Sequence, residues 1–281
     1  MDTPTNGVIA APAAWRKYWI VLSTRTQEDM AYRTNYFFGA LFRFLPLVTT
    51  IYLWKAVFAT SSSSRIKGMG YGDFVAYYAL MFIARGFSSM PGMTRDVSVD
   101  IKDGLLNRYL VRPMSYLWYQ VTYRMAHKVV FWMVAAVTFP PIFWFLRGYF
   151  VHSPSALEWG AFLLSLVIAF WIGMLFSFLI GLLAFWFLEI STFLFVIMTI
   201  EFFLSGHMIP LNLLPANLQP FLTYMPFGYE GYWPCMILLG KIPADQMGRL
   251  LGIGLGWVGF FYLLSLWGWK AGLKRYSAVG G

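Results

Sequence analysis

The chain has one cysteine, Cys235, and three histidines, His127, His152 and His207, without ligand-like spacing. An internal disulfide is therefore impossible, and the cysteine cannot by itself build a metal site. Charge is also scarce, at 12% of 281 residues, against about 25% in an ordinary soluble domain. Short catalytic signatures are missing: no GxxxxGK(S/T), no GxSxG and no HExxH occurs. The first absence removes ATP binding by a phosphate loop on this chain, and the others leave intramembrane serine or zinc proteolysis without its residues.

What is abundant is apolar surface. Hydrophobic residues make up 59%, aromatics 20%, and the mean hydropathy is +0.61. A soluble domain of this length cannot hide so much apolar surface, so a disordered chain, a disulfide-stapled secreted domain and an ordinary cytosolic enzyme are excluded and lipid is the expected solvent. A transmembrane helix needs about 20 mostly apolar residues. Six segments qualify: Tyr36–Phe58, Phe74–Met90, Val129–Leu146, Leu157–Phe187, Ile190–Met208 and Leu250–Trp269. The second is interrupted by Arg85, and the fourth, 31 residues long, must tilt or project into water. Residues 1–14 lack the basic start and apolar core of a signal peptide, so the first span is expected to be retained.

The net charge of +9 then becomes a question of sidedness rather than of nucleic acid, which is not an expected partner. With the N-terminus inside, 13 of the 21 basic residues fall on the inner segments and 6 on the outer ones, while Arg43 and Arg85 lie within spans. Both termini are therefore expected in the cytoplasm.

Between the spans, residues 13–29 place Trp15, Trp19 and Leu22 on one helical face and Arg16 and Lys17 on another. This predicts an interfacial amphipathic helix, the alternative being an ordered leader. Residues 59–72 read as a polar Ser/Gly loop. The largest polar insertion, residues 93–114, predicts a short helix capped by Asp100, with Asp103 in its first turn. Ile101, Leu105, Tyr109 and Leu110 would form its apolar stripe, Lys102, Asn107 and Arg108 would face elsewhere, and Pro113 would stop it. Such a helix can lie on lipid or dock into a groove on a soluble partner. Residues 209–249 hold 6 of the 14 prolines yet are too apolar for a free loop, which suits short helices dipping into the outer leaflet against protein.

Few residues could carry function. Glu201 lies within the fifth span, where an ionisable group must be protonated, paired or wet. It is read as part of a translocation path or subunit contact, or else as a hydrogen-bonded packing residue. His207, six residues on, is rotated off its face. Arg85 could be its partner, or could snorkel from the inner end of its own span. Gly248, Gly252 and Gly256 form a small-xxx-small line that admits another helix, within this chain or from a second subunit. Pro140 and Pro141 should kink or end the third span.

Two stretches carry a resemblance. Asp100-Ile101-Lys102-Asp103-Gly104-Leu105-Leu106-Asn107-Arg108-Tyr109-Leu110-Val111-Arg112-Pro113 is similar to an I-x-x-G-x-L-x-x-Y-L-x-x-P motif. Ser205-Gly206-His207-Met208-Ile209-Pro210-Leu211-Asn212-Leu213-Leu214-Pro215, followed by Pro226-Phe227, looks like S-G-x-x-x-P-L-x-x-L-P and P-F. Both motifs belong to one bacterial branch of the ABC-2 type exporter membrane subunits, and over nearly the whole chain the order of segments resembles that family.

The resemblance implies an all-α integral membrane fold of six transmembrane helices with an N-terminal interfacial helix, a cytoplasmic coupling helix and an outer re-entrant helical hairpin at 209–241. Residues 1–281 would form a single permease domain: a leader at 1–33, the bundle at 34–270 and a tail at 271–281. Two such subunits, identical or related, would pair with separate ATPase subunits in the bacterial inner membrane. ATP and magnesium would be bound by those partners, and this chain would carry no cofactor and no catalytic residue. The coupling helix at 97–112 would offer Asp100, Lys102, Asp103, Gly104, Leu105, Arg108 and Arg112 to the ATPase. The apolar, aromatic-rich spans suit export of an amphiphilic or lipid-like cargo. The rival readings are a non-transport membrane scaffold, which would not need the insert, and a lipid-modifying enzyme, disfavoured because Glu189, Glu201 and Arg85 are dispersed along the sequence.

Overall fold

The computed structural model describes residues 14–42, 44–187 and 191–276. Helix accounts for 79% of the described residues, and no strand forms among them, so the fold is all-α. Twelve α-helices are described: α1 (Ala14–Ala31), α2 (Arg33–Phe42), α3 (Phe44–Thr60), α4 (Tyr71–Ser88), α5 (Met93–Lys102), α6 (Asn107–Leu110), α7 (Tyr116–Leu146), α8 (Ala156–Leu182), α9 (Ser191–Leu204), α10 (Gln219–Tyr224), α11 (Tyr232–Leu238) and α12 (Ala244–Leu273).

Among the described residues four stretches are long and apolar enough to cross a membrane alone: Phe37–Thr60, Tyr116–Tyr149, Ala156–Phe185 and Ala244–Leu273. The second and fifth predicted spans are shorter. α4 has 18 residues, with Asp73 and Arg85 among them, and α9 has 14. α9 stops at Leu204 rather than Met208 because Gly206 turns the chain through a left-handed conformation (φ 78°). Glu201 therefore lies in its last turn.

Other boundaries move for local reasons. The third span starts at Tyr116, well before Val129, because Arg124 and Lys128 are held by neighbouring carbonyls and a carboxylate and do not interrupt the helix. Pro140 and Pro141 do not end α7, which continues to Leu146. α8 starts as a capping box: Ser155 Oγ accepts from Glu158 N at 3.3 Å, and the Glu158 carboxylate accepts from Ser155 N at 2.7 Å. The turn at Glu189 lies outside the described residues.

α8 is the spine of the bundle. α4, α5, α11, α12 and the 3-10 turn Phe227–Glu230 all pack on it. At Gly173 the backbone of Ser88, at the end of α4, comes so close that a Cβ would overlap its carbonyl oxygen. The outward faces are apolar instead of charged: Leu45, Tyr52 and Leu53 on α3, Phe195 and Met198 on α9, and Leu263 and Trp267 on α12 are all exposed. Apolar groups facing outward on long helices are what a lipid solvent requires.

Segments assigned to one side share one end of the bundle. Lys17 Nζ donates to the Pro113 carbonyl, Ser115 N donates to Tyr18 Oη at 3.3 Å, and Tyr116 stacks on Trp269 at 5.0 Å. At the other end Tyr71 meets Tyr149 edge-on at 5.8 Å, and Lys241 pairs with Asp73 at 3.1 Å.

The predicted line of Gly248, Gly252 and Gly256 faces open space among the described residues. A Cβ on any of the three would have nothing within 4 Å, whereas Gly254 between them packs against Tyr229 and Ile168. Contact within this chain is thus made on the opposite side of α12. Gly173→Val is expected to lower the unfolding midpoint of the detergent-purified protein sharply by forcing α4 off α8. Gly248→Ala should not lower it, since the added methyl enters open space and favours helix by up to about 1 kcal/mol. Thermal unfolding followed by tryptophan fluorescence compares the two.

Candidate functional site

Three ionisable side chains from three elements meet inside the bundle. Arg85, three residues before the end of α4, directs Nη1 at Glu201 Oε1 of α9, 2.6 Å away, and at Glu230 Oε2, 3.4 Å away. Glu230 closes the 3-10 turn Phe227–Glu230. Burial of Glu230 and partial burial of Arg85 and Glu201 strengthen the pairing by excluding water. Arg85 is thus a partner of Glu201 and does not snorkel from its span.

Glu230 was not singled out from sequence. Its signal is faint but present: it is the one acidic residue in the proline-rich stretch before Asp245, set among Tyr229, Tyr232 and Trp233. The aromatic and Gly/Pro surroundings hide it, because the stretch reads as apolar overall. Convergence of Arg85 with Glu201 also corrects the expectation that these groups are dispersed. They lie 116 residues apart in sequence and in one ion pair in space.

His207 is not on the triad. Its ring lies edge-on to Phe202, with centroids 4.5 Å apart, and it lines a separate cavity of about 320 Å³ between α3, α4 and α7. Arg85 lines that cavity as well, and also a second one of about 190 Å³ with Glu201 and Glu230. Next to the triad, α4 is latched to the corner after α9 by two tyrosines: Tyr77 Oη donates to Gly206 O at 2.6 Å, and Tyr78 Oη donates to Met208 O at 2.9 Å.

The polar insert is built differently from its prediction. It is two helices, α5 and α6, separated by Gly104 at φ 70°. Gly92, not Asp100, is the N-cap of α5, Asp96 sits in the first turn, and Asp103 is the C-cap. Asp100 faces inward at 5% exposure, accepting from Arg108 Nη2 at 2.6 Å and from Tyr116 Oη at 2.7 Å. Gln120 Nε2 donates to Tyr116 Oη at 2.9 Å and extends the network. Ile101, Leu106 and Tyr109 are buried, while Leu105 and Leu110 are exposed, so Leu106 takes the place on the apolar stripe expected of Leu105. Asp103 and Arg112 are exposed, and Lys102 is half-buried. Of the seven residues proposed for the partner contact, Asp100 therefore holds the insert together from within and Arg108 is paired to it.

α7 clamps the corner between α4 and α5. Lys128 Nζ donates to Gly86 O at 2.7 Å and to Ser89 O, capping the carbonyl end of α4. One turn earlier, Arg124 donates to Pro91 O at 2.9 Å and pairs with Asp96. On the other side, Thr94 Oγ1 donates to Ser177 O of α8 at 3.0 Å. The insert is thereby fixed to the same two helices that carry the triad's surroundings.

Long apolar helices with apolar outer faces define a multi-pass membrane protein. The family model described as ABC-2 family transporter protein matches residues 44–280, and the chain belongs to that family. No curated protein and no solved structure matches the chain.

Removing Arg85 leaves two buried carboxylates facing one another, and loss of one partner from a buried ion pair costs about 3–5 kcal/mol. Arg85→Ala is expected to fall in that range. Glu201→Gln should be milder because its amide oxygen still accepts from Arg85. Unfolding midpoints of the purified variants test the order, and an unchanged midpoint for Glu201→Gln would show that Glu201 is not the main partner.

Proposed function

We propose that this chain is the membrane-spanning permease subunit of an ATP-binding-cassette exporter, paired with a second permease, identical or related, and driven by separate ATPase subunits. The observation that carries this reading is the insert. It presents the charged surface of Lys102, Asp103 and Arg112 outward while Asp100, Tyr116 and Gln120 lock it from within. A rigid helix pair with a charged outer face and a clamped inner face can transmit a push. A loop lying loosely on lipid could not.

In this reading six segments cross the bacterial inner membrane, with α4 and α9 completing the four longer spans, and both termini lie in the cytoplasm. α1 packs along α7 and serves as the connecting helix. Its outward Trp15 and Trp19, which are exposed, sit at headgroup depth. The short helices α10 and α11 form the outer re-entrant hairpin. ATP binding closes the ATPase dimer against α5 and α6. Because α5 packs on α8 and is joined to α4 through the Arg124–Lys128 clamp, displacement of the insert reaches the Arg85–Glu201–Glu230 junction. Coupling then consists of different contacts in two states, with ATP and magnesium on the partner and no catalytic group here. The cargo is an amphiphile or lipid-like molecule. Against a scaffold stands the braced insert. Against a lipid-modifying enzyme stands the pairing of Arg85 with both carboxylates, which spends these charges on one another within the bundle.

Asp103→Arg is expected to reduce recovery of the ATPase subunit on affinity purification from native membranes several-fold without changing the amount or unfolding midpoint of the permease. Asp100→Asn should instead lower the midpoint, because it weakens the acceptor of both Arg108 and Tyr116. Unchanged ATPase recovery with Asp103→Arg would remove the insert from the contact.

A further inference from the structure

The guanidinium of Arg85 is only partly used. Both of its contacts, to Glu201 and to Glu230, are made through Nη1. Nε and Nη2 have no hydrogen-bond partner among the described residues. The side chain is 21% exposed, and neither of these two nitrogens is sealed in by its neighbours. A guanidinium is a fork of donors without an acceptor, so these N–H groups are satisfied only by an oxygen brought to them. Half-buried donors of this kind are normally paired, which makes the open edge of Arg85 a place to look for a ligand.

Arg85 lines the cavity of about 320 Å³ between α3, α4 and α7, a volume at the low end of the roughly 300–1,000 Å³ of small-molecule pockets. His207 stands beside it with Nδ1 sealed off, so Nε2 is the nitrogen left to serve a ligand, and Thr50 and Ser89 add hydroxyls. Much of the remaining wall is apolar, with Leu47 of α3, Met81 and Phe82 of α4 and Phe131 of α7. Among the described residues no carboxylate lines this cavity; Glu201 and Glu230 line the smaller one instead. The charge of Arg85 is already matched by those two residues. A cation in the larger cavity would thus meet donors and no counter-charge, and an anion would add a half-buried charge with none to spare for it. The cavity suits an uncharged acceptor carried on an apolar chain.

We propose that this cavity binds the acyl end of an uncharged lipid, such as an acylglycerol. Its carbonyl oxygen accepts from Nε and Nη2 of Arg85, its chain lies against Leu47, Phe82 and Phe131, and its head hydroxyls meet His207 and Thr50. That this lipid is cargo rests on the permease reading; its binding does not. The guanidinium that holds the carbonyl also holds Glu201 and Glu230. Arrival or departure of the lipid therefore acts directly on the junction between α4, α9 and the turn before α11.

The test uses the full chain, without ATPase, in dodecyl maltoside, a detergent that has no carbonyl group. The probe is 1-octanoylglycerol with a diazirine at the end of its chain, and the sites of light-induced labelling are mapped by mass spectrometry. The expected result is saturable labelling of the cavity wall on α3, α4 or α7. Unlabelled 1-octanoylglycerol should displace the probe at concentrations at least tenfold lower than the ether 1-O-octylglycerol, octanoate or octylammonium. Arg85→Lys keeps the positive charge beside Glu201 but loses the fork, and should bind the probe at least tenfold more weakly while its unfolding midpoint reports that it is folded. Labelling that does not saturate or that falls elsewhere overturns the proposal. So does displacement by the ether, octanoate or octylammonium as effective as by the ester, or unchanged affinity in a folded Arg85→Lys. If Arg85→Lys fails to fold, the contrast between ester and ether on the natural chain decides alone. Because no ATPase is present, failure here leaves the permease reading standing, and failure of ATPase recovery leaves this result untouched.

Discussion

The fold turns on one arginine placed among apolar helices. A charge half-buried among apolar side chains is costly to leave unpaired, so other elements bring carboxylates to it. Glu201 arrives from α9 and Glu230 from the turn before α11. The three segments are far apart in sequence, and besides the triad the bonds of Tyr77 and Tyr78 to Gly206 and Met208 tie α4 to the corner after α9, which itself faces outward for much of its length. Apolar packing would hold them together in many registers. An ion triad with a 2.6 Å bond holds them in one.

Around that junction the structure divides its labour between two helices. α8 supplies close approach: Gly173 lets the end of α4 lie against it, and Gly181 lets Val97 of α5 do the same. α7 supplies charge, with Arg124 and Lys128 one turn apart satisfying carbonyls at the corner where α4 gives way to α5. The polar insert is therefore continuous with the bundle through hydrogen bonds as well as contacts. Its exposed charges stand on a base that cannot shift without moving α4 or α8.

Much of this was legible in the order of residues. Four long apolar runs became long helices, the polar insert at 93–114 became α5 and α6, and the proline-broken stretch at 209–249 became short helices and 3-10 turns, because hydrophobic length and the missing amide hydrogen of proline act locally. The site was only half legible. Glu201 and Arg85 stand out because charge is rare in apolar runs, but their pairing spans 116 residues and no local rule supplies it. Glu230 was hidden by an aromatic and Gly/Pro neighbourhood. Asp100 was misplaced as a helix cap because Gly92, which has no side chain to signal a cap, begins α5.

Sequence by itself settled the solvent, the class of fold and the segments that repeat the wording of the ABC-2 family, for these follow from composition and from short-range pattern. Only the tertiary structure decided which charges are outward and which are internal. That Asp100 braces the insert, that Gly254 rather than its neighbours touches α8, and that Glu230 shares Arg85 all depend on where distant helices come to rest. The reason is physical: a buried charge is tolerated only beside its partner, and the partner's position is fixed by packing, which no single stretch of chain contains.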